Sequence, residues 1–113
     1  MGGKSMMKWP KQITSYFVEQ LICSERDLDK AISIFNAATV EYSNGFRHDQ
    51  NTFGLMIRRL LSANKFVLAE DMLVRMKQEK CDMSEDIFLS IYRAYARDHK
   101  SLEVLRVFGK TNE

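Results

Sequence analysis

The chain has 113 residues, a formal net charge of +2 and an apolar fraction of 45%. This length suits one small domain, and the composition argues against disorder throughout. Two isolated cysteines make no disulfide framework, which fits a reduced intracellular compartment, and no apolar run reaches the roughly 18 residues of a membrane span. A single proline and five glycines leave few helix breakers, so the composition predicts an all-helical chain.

The chain begins with a basic lead-in. Residues 1–12 contain three lysines and no acidic residue, and we expect them to be flexible. They are too short and too poor in arginine for an organelle transit peptide. From residue 13 onwards apolar residues recur at helical spacing, which predicts a first helix ending near Ser24 on the stripe Ile13, Phe17, Val18, Leu21 and Ile22.

A second helix follows a short polar break. Asp27 is a suitable N-cap, and the next apolar stripe consists of Leu28, Ala31, Ile32, Phe35 and Ala38. The stretch from Glu41 to Asp49 contains Ser-Asn-Gly, the strongest turn signal in the chain. We therefore expect a longer loop here before the third helix.

Four more helical stripes complete the chain. The third and fourth flank the predicted turn 62–65, and the fifth begins after Ser84, with two acidic residues at the positive end of its dipole. The fifth helix is predicted to bury Ile87, Phe88, Ile91, Tyr92 and Tyr95. The sixth carries Leu102, Leu105 and Phe108.

These helices repeat at a fixed interval. Phe53 returns as Phe88 after 35 residues, and Ala69 returns as Val104. A period of this size is typical of stacked helical repeats, in which each unit contacts its neighbours and a concave surface runs along the stack. We predict a short right-handed α-solenoid over residues 13–113, with helical hairpins at about 13–48, 49–83 and 84–113.

At these residues the chain resembles pentatricopeptide repeat proteins. The family pattern has an aromatic residue in helix A, an alanine in the middle of helix B, and Phe or Leu one turn later. The middle repeat matches it at Phe53, Ala69, Leu73 and Met76. The resemblance covers roughly residues 13–108. The chain looks like the amino-terminal portion of a longer plant-type member of the family.

The resemblance implies binding of single-stranded RNA, with one base read by each repeat. The family reads bases with the residue after the helix-A aromatic and with the last residue of the repeat. In this chain those positions hold Asp49, Gly54, Ser84 and Leu89. Gly54 and Leu89 offer no hydrogen-bonding side chain, and the sequence holds just under three repeats, so we expect weak or non-specific binding by a short or truncated chain.

Arginines could supply contacts to phosphate. The candidates are Arg58, Arg59, Arg93 and Arg97, and the first and third are equivalent across the 35-residue period. The alternative is a solvated polar face, since acidic residues are interspersed with them. No catalytic triad spacing, glycine-rich phosphate loop or metal-ligand motif occurs, so we predict no enzyme activity, no cofactor and no metal.

Two expectations concern partners and location. The sixth helix leaves an apolar face that nothing following covers, so we expect either self-association or a protein partner there. A helical protein-interaction scaffold without RNA binding is the alternative function. Family resemblance places the chain in the mitochondrion and in organelle RNA metabolism, with the cytoplasm or nucleus as the alternative.

Overall fold

The computed structural model describes residues 9–97, and this part of the chain is all-helical. Its elements, in chain order, are α1 (Ser15–Ser24), α2 (Leu28–Val40), a short 3-10 helix (Glu41–Asn44), α3 (Gln50–Ser62), α4 (Phe66–Gln78) and α5 (Glu85–Arg97). Helix α1 packs against α2, and α3 packs against α4. The predicted all-helical repeat fold is confirmed. The sixth predicted helix and residues 1–8 of the lead-in lie outside the described residues, so the predicted hairpin ranges stay predictions.

Helix α3 is the centre of the fold, since it packs against α1, α2, α4 and α5. It can do so because it is buried on more than one side. Its fully or almost fully buried side chains are Thr52, Phe53, Met56, Ile57, Leu60 and Leu61. Burying one large apolar side chain contributes about 1.5–3 kcal/mol, so α3 carries a large share of the core stability.

A small residue followed one turn later by a large one sets the packing of α2 and α4, the second helices of the first two hairpins. Ala31 in α2 and Ala69 in α4 are buried, as are Phe35 and Leu73 four residues further on. The alanines let neighbouring helices approach closely, and the larger side chains then fill the space between them. The equivalent pair in the third repeat lies outside the described residues.

The helix ends use local hydrogen bonds. The carboxylate of Asp27 accepts from the Lys30 amide at 3.2 Å, which confirms Asp27 as the N-cap of α2. The turns after α3 and α4 pass through Asn64 and Lys80, whose φ angles are 60° and 57°. This left-handed conformation closes each helix.

The connection between α2 and α3 folds back onto the core. It spans residues 41–49, whereas the connection from α4 to α5 spans residues 79–84, so it is three residues longer. Gly45 has a φ of 98°, which a residue with a side chain rarely adopts. Beyond this turn the chain buries Phe46 and His48. The connection therefore acts as part of the core.

The prediction that Phe88 and Tyr92 are core residues was wrong. Phe88 is 43% exposed and Tyr92 is 52% exposed, although Ile87, Ile91 and Tyr95 on the same helix are buried as predicted. The periodicity of α5 identifies apolar positions, but only its inner face meets α3 within the described residues. No helix in the described part of the chain is long and apolar enough to cross a membrane.

Candidate nucleic-acid interface

A basic groove of about 190 Å³ lies between α3 and α5. Arg58 comes from α3, and Arg93 and Arg97 come from α5. They meet because the two helices are neighbours and because Arg58 and Arg93 occupy equivalent positions of the repeat. The structure thus brings together three of the four predicted phosphate contacts. The remaining lining residues are Leu61, Ser62, Ser90 and Ala94.

Among the described residues, this groove is lined by positive charge alone. All three arginine side chains are exposed, and no acidic residue of the described part of the chain lines the groove. A guanidinium stays protonated at all relevant pH values and can donate two parallel hydrogen bonds to one phosphate. The hydroxyls of Ser62 and Ser90 add two further donors. This arrangement can hold a phosphate of an extended polyanion.

The fourth predicted contact, Arg59, does not line the groove between α3 and α5. Its guanidinium donates to the Ile22 carbonyl at 2.8 Å and to the Arg26 carbonyl at 3.1 Å. Ile22 lies in the last turn of α1, where carbonyls lack partners within the helix. Arg59 therefore ties the first hairpin to α3. Its predicted contact with phosphate stays a prediction.

Asp49 is the N-cap of α3. Its Oδ1 atom accepts from the amides of Asn51 at 3.0 Å and Thr52 at 3.2 Å, and from the hydroxyl of Ser15 at 2.8 Å. Ser15 is the first residue of α1, so the same carboxylate also joins two repeats. The sequence could not reveal this partner, because two polar residues 34 positions apart carry no pairing signal. Whether Asp49 also reads a base stays a prediction.

Ser84 occupies the equivalent place before α5. Its hydroxyl oxygen accepts from the Ile87 amide at 3.3 Å, and its carbonyl accepts from the Phe88 amide at 3.1 Å. Ser84 is half-buried and acts as the N-cap that the sequence predicted. Both repeat-closing residues thus have a capping role. A base-reading role for Ser84 stays a prediction.

Gly54 lies under the side chain of Ile87. A Cβ atom added to Gly54 would come within 2.9 Å of Ile87 Cδ1 and 3.0 Å of Cγ1. Gly54 is buried, and the absence of a side chain lets α3 and α5 approach closely. This residue therefore has a packing role, and its predicted reading role stays untested.

Leu89 lies on the exposed side of α5. Its side chain is 36% exposed, and Phe88 and Tyr92 beside it are more exposed still. The chain thus presents an apolar and aromatic surface on its last described helix. Sequence reasoning placed the two aromatic residues in the core, so it missed this surface.

Comparison with known proteins identifies the family. A pentatricopeptide repeat-containing protein of Arabidopsis thaliana is 53% identical over 114 residues, which cover the whole of this chain. The chain belongs to the pentatricopeptide repeat family. A second such protein of the same plant is 31% identical over 89 residues, or 79% of this chain. A third is 21% identical over 109 residues, or 96% of this chain.

This pentatricopeptide repeat chain is much shorter than its relatives. It spans 24%, 17% and 21% of the lengths of the three, in the order given. No family model matches the chain, and no solved structure matches it. The family therefore follows from the similarity to these plant proteins, together with the helical hairpins.

Proposed function

We propose that this chain is a scaffold that binds single-stranded RNA, and that it does not catalyse a reaction. The groove between α3 and α5 carries the proposal, because Arg58, Arg93 and Arg97 line it and no acidic residue among residues 9–97 does. Phosphates are the groups that such a site attracts most strongly. Membership of the pentatricopeptide repeat family supports RNA as the polyanion.

Binding should be weak and indifferent to base sequence. Contacts to phosphate fix the position of a strand but carry no sequence information. Of the residues at the predicted reading positions, Gly54 is buried and Leu89 has no donor or acceptor. We therefore propose that affinity comes from the RNA backbone, with little discrimination between bases.

A titration at two salt concentrations tests this proposal. Three phosphate contacts predict a salt slope of about −2, so affinity for random single-stranded RNA should fall about 20-fold between 50 and 200 mM salt. Arg58→Gln should weaken binding, whereas Arg47→Gln should not. Arg47 is the matched control because it lies in the loop before α3, 3.9 Å from Glu79, outside the groove. Absence of binding at 50 mM salt would refute the proposal.

A second candidate function is a protein-interaction scaffold without RNA binding. The exposed surface formed by Phe88, Leu89 and Tyr92 favours it, because contiguous apolar side chains often mark contact sites. Sedimentation of the purified chain tests this candidate. Self-association that Tyr92→Ser weakens would support it, whereas a stable monomer would count against self-association.

Cellular location is proposed from the family alone. We propose that the protein acts in organelle RNA metabolism, in the mitochondrion. A fluorescent fusion of the full-length protein in plant cells tests this, and a purely cytoplasmic or nuclear signal would contradict it.

A further inference from the structure

A second groove adjoins the one between α3 and α5. It lies where the turn from α1 to α2 meets the end of α3, and its volume is about 360 Å³. Arg58 and Ser62 line both grooves. The remaining lining residues of the second groove are Arg26, Leu28, Arg59 and Ala63. The two grooves therefore meet at the last turns of α3.

The backbone that carries Arg26 is held in place by α3. Arg59 donates to the carbonyl of Arg26 at 3.1 Å, as well as to that of Ile22. The Arg26 side chain itself is exposed. Because the turn is fixed and the side chain lines the groove, Arg26 stays on the same side of α3 as Arg58.

Nearby acidic residues do not occupy this groove. Glu25 and Asp27 flank Arg26 in the sequence, yet neither lines the groove. The Glu25 carboxylate accepts from the Asp27 amide at 3.1 Å, and that of Asp27 accepts from the Lys30 amide at 3.2 Å. Both carboxylates thus bond to backbone donors at the start of α2. Neither carboxylate forms an ion pair with the guanidinium of Arg26 within residues 9–97, so this exposed guanidinium is accessible to an external anion.

We propose that the two grooves form one track for the sugar-phosphate backbone of single-stranded RNA, and that Arg26 is an additional phosphate-binding residue at its start. The track runs from Arg26 past Arg58 to Arg93 and Arg97. This inference rests on the proposed RNA binding and adds the path of the strand. The path crosses α3 and joins the first repeat to the third.

The length of the track determines which repeats the RNA contacts. Neighbouring packed helices lie about 8–10 Å apart, so the distance from α1 across α3 to α5 is about 16–20 Å. A strand that follows the track therefore contacts all three repeats, whereas a strand held by the groove between α3 and α5 contacts only two.

The test measures salt dependence in the full chain with a twelve-nucleotide oligouridylate. With Arg26 as a fourth contact, the salt slope of the unmodified chain becomes about −2.8, and Arg26→Gln should reduce its steepness by about 0.7, the value for one lost phosphate contact on a single strand. Arg58→Gln should reduce it at least as much, and Arg47→Gln should leave it unchanged. Far-ultraviolet circular dichroism should be the same for all four proteins, because Arg26 contributes only its backbone carbonyl to the described hydrogen bonds.

The possible results distinguish failure of the track from failure of the proposed RNA binding. A salt slope reduced by both Arg26→Gln and Arg58→Gln supports the track. If Arg58→Gln reduces the slope and Arg26→Gln does not, the strand ends at the first groove and the track is refuted. If the unmodified chain binds no oligouridylate at 50 mM salt, both the track and the proposed RNA binding are refuted.

Discussion

The imidazole of His48 lies parallel to the ring of Phe35, with the two centroids 3.6 Å apart. Nε2 of His48 lies 3.0 Å from the Phe35 carbonyl oxygen, so Nε2 carries the proton and donates it to this bond. Nδ1 lies 2.9 Å from the hydroxyl of Thr52, from which it accepts. The histidine is thus a neutral core residue that joins α2 to α3.

This burial should make the protein sensitive to acid. Burial, and to a smaller extent the charge of Arg75, lowers the pKa of His48 from 6.5 to about 4. Between these values the unfolded chain binds a proton that the folded chain does not. The contribution of His48 to the free energy of unfolding is therefore complete above about pH 6.5, and falls by about 3 kcal/mol as the pH drops to 4.

Urea unfolding at pH 7, 5.5 and 4.5 measures this dependence. His48→Gln removes the titrating group, so the variant should be less stable at pH 7 and should lose less stability on acidification. Parallel declines for the two proteins would show that other groups cause the acid sensitivity.

The contact between Gly54 and Ile87 should make an added methyl group unfavourable. Alanine is about 1 kcal/mol better than glycine in a helix, but overpacking a core costs about 1–3 kcal/mol, so we expect Gly54→Ala to destabilise by about 1 kcal/mol. Ile87→Val removes the Cδ1 atom, which would lie 2.9 Å from the new methyl. The penalty should therefore shrink in the double variant.

A double-mutant cycle by urea unfolding measures this coupling. Asn51→Ala on the same helix is exposed and serves as the control, with an expected change within about 0.5 kcal/mol. Strictly additive effects of the two substitutions would mean that the helices separate to admit the methyl.

Arg58 and Arg59 are neighbours in sequence, but substitution of Arg59 should lower stability whereas substitution of Arg58 should weaken RNA binding. Arg59→Gln removes a charged donor from two carbonyls at the end of α1 and in the turn that follows it, so we expect a loss of about 1–3 kcal/mol in stability. Arg58 is exposed, so Arg58→Gln should change stability by less than about 0.5 kcal/mol while weakening RNA binding. Thermal unfolding and RNA titration of both variants separate the two roles.

The carboxylate of Asp49 should contribute more to stability than the Ser15 hydroxyl that donates to it. Asp49→Ala removes the acceptor for two amides of α3 and for Ser15, and loss of an N-cap costs about 0.5–2 kcal/mol. Ser15→Ala removes only one of these donors, so its effect should be smaller. Thermal denaturation of both variants checks this order. A loss of stability in Ser15→Ala that equals or exceeds the loss in Asp49→Ala would contradict it.

The sequence predicted the helices because their signals are local. Apolar spacing located α1 to α5, and short polar residues before the apolar stripes identified Asp27 and Ser84 as N-caps. Such features depend on residues within one or two turns, which a single sequence contains. The 35-residue period also predicted that the hairpins stack on one another.

What the sequence could not predict depends on contacts between distant residues. Arg58 and Arg59 have the same chemistry and adjacent positions, yet only Arg58 lines the groove between α3 and α5, and Arg59 bonds to carbonyls 33 and 37 residues away. Tyr92 fits the apolar stripe of α5 but faces outwards. Neither outcome follows from residue type and spacing, because each depends on how the neighbouring helix is placed.

The longer connection between α2 and α3 has a consequence for engineering. Its extra residues deliver His48 to Phe35, and the shorter connection between α4 and α5 has no histidine to offer. A chain built from copies of the second repeat would therefore leave this junction without its stacked ring and its hydrogen bonds. The repeats of this protein are not interchangeable modules, and any design that shuffles them has to carry residues 41–49 with the first repeat.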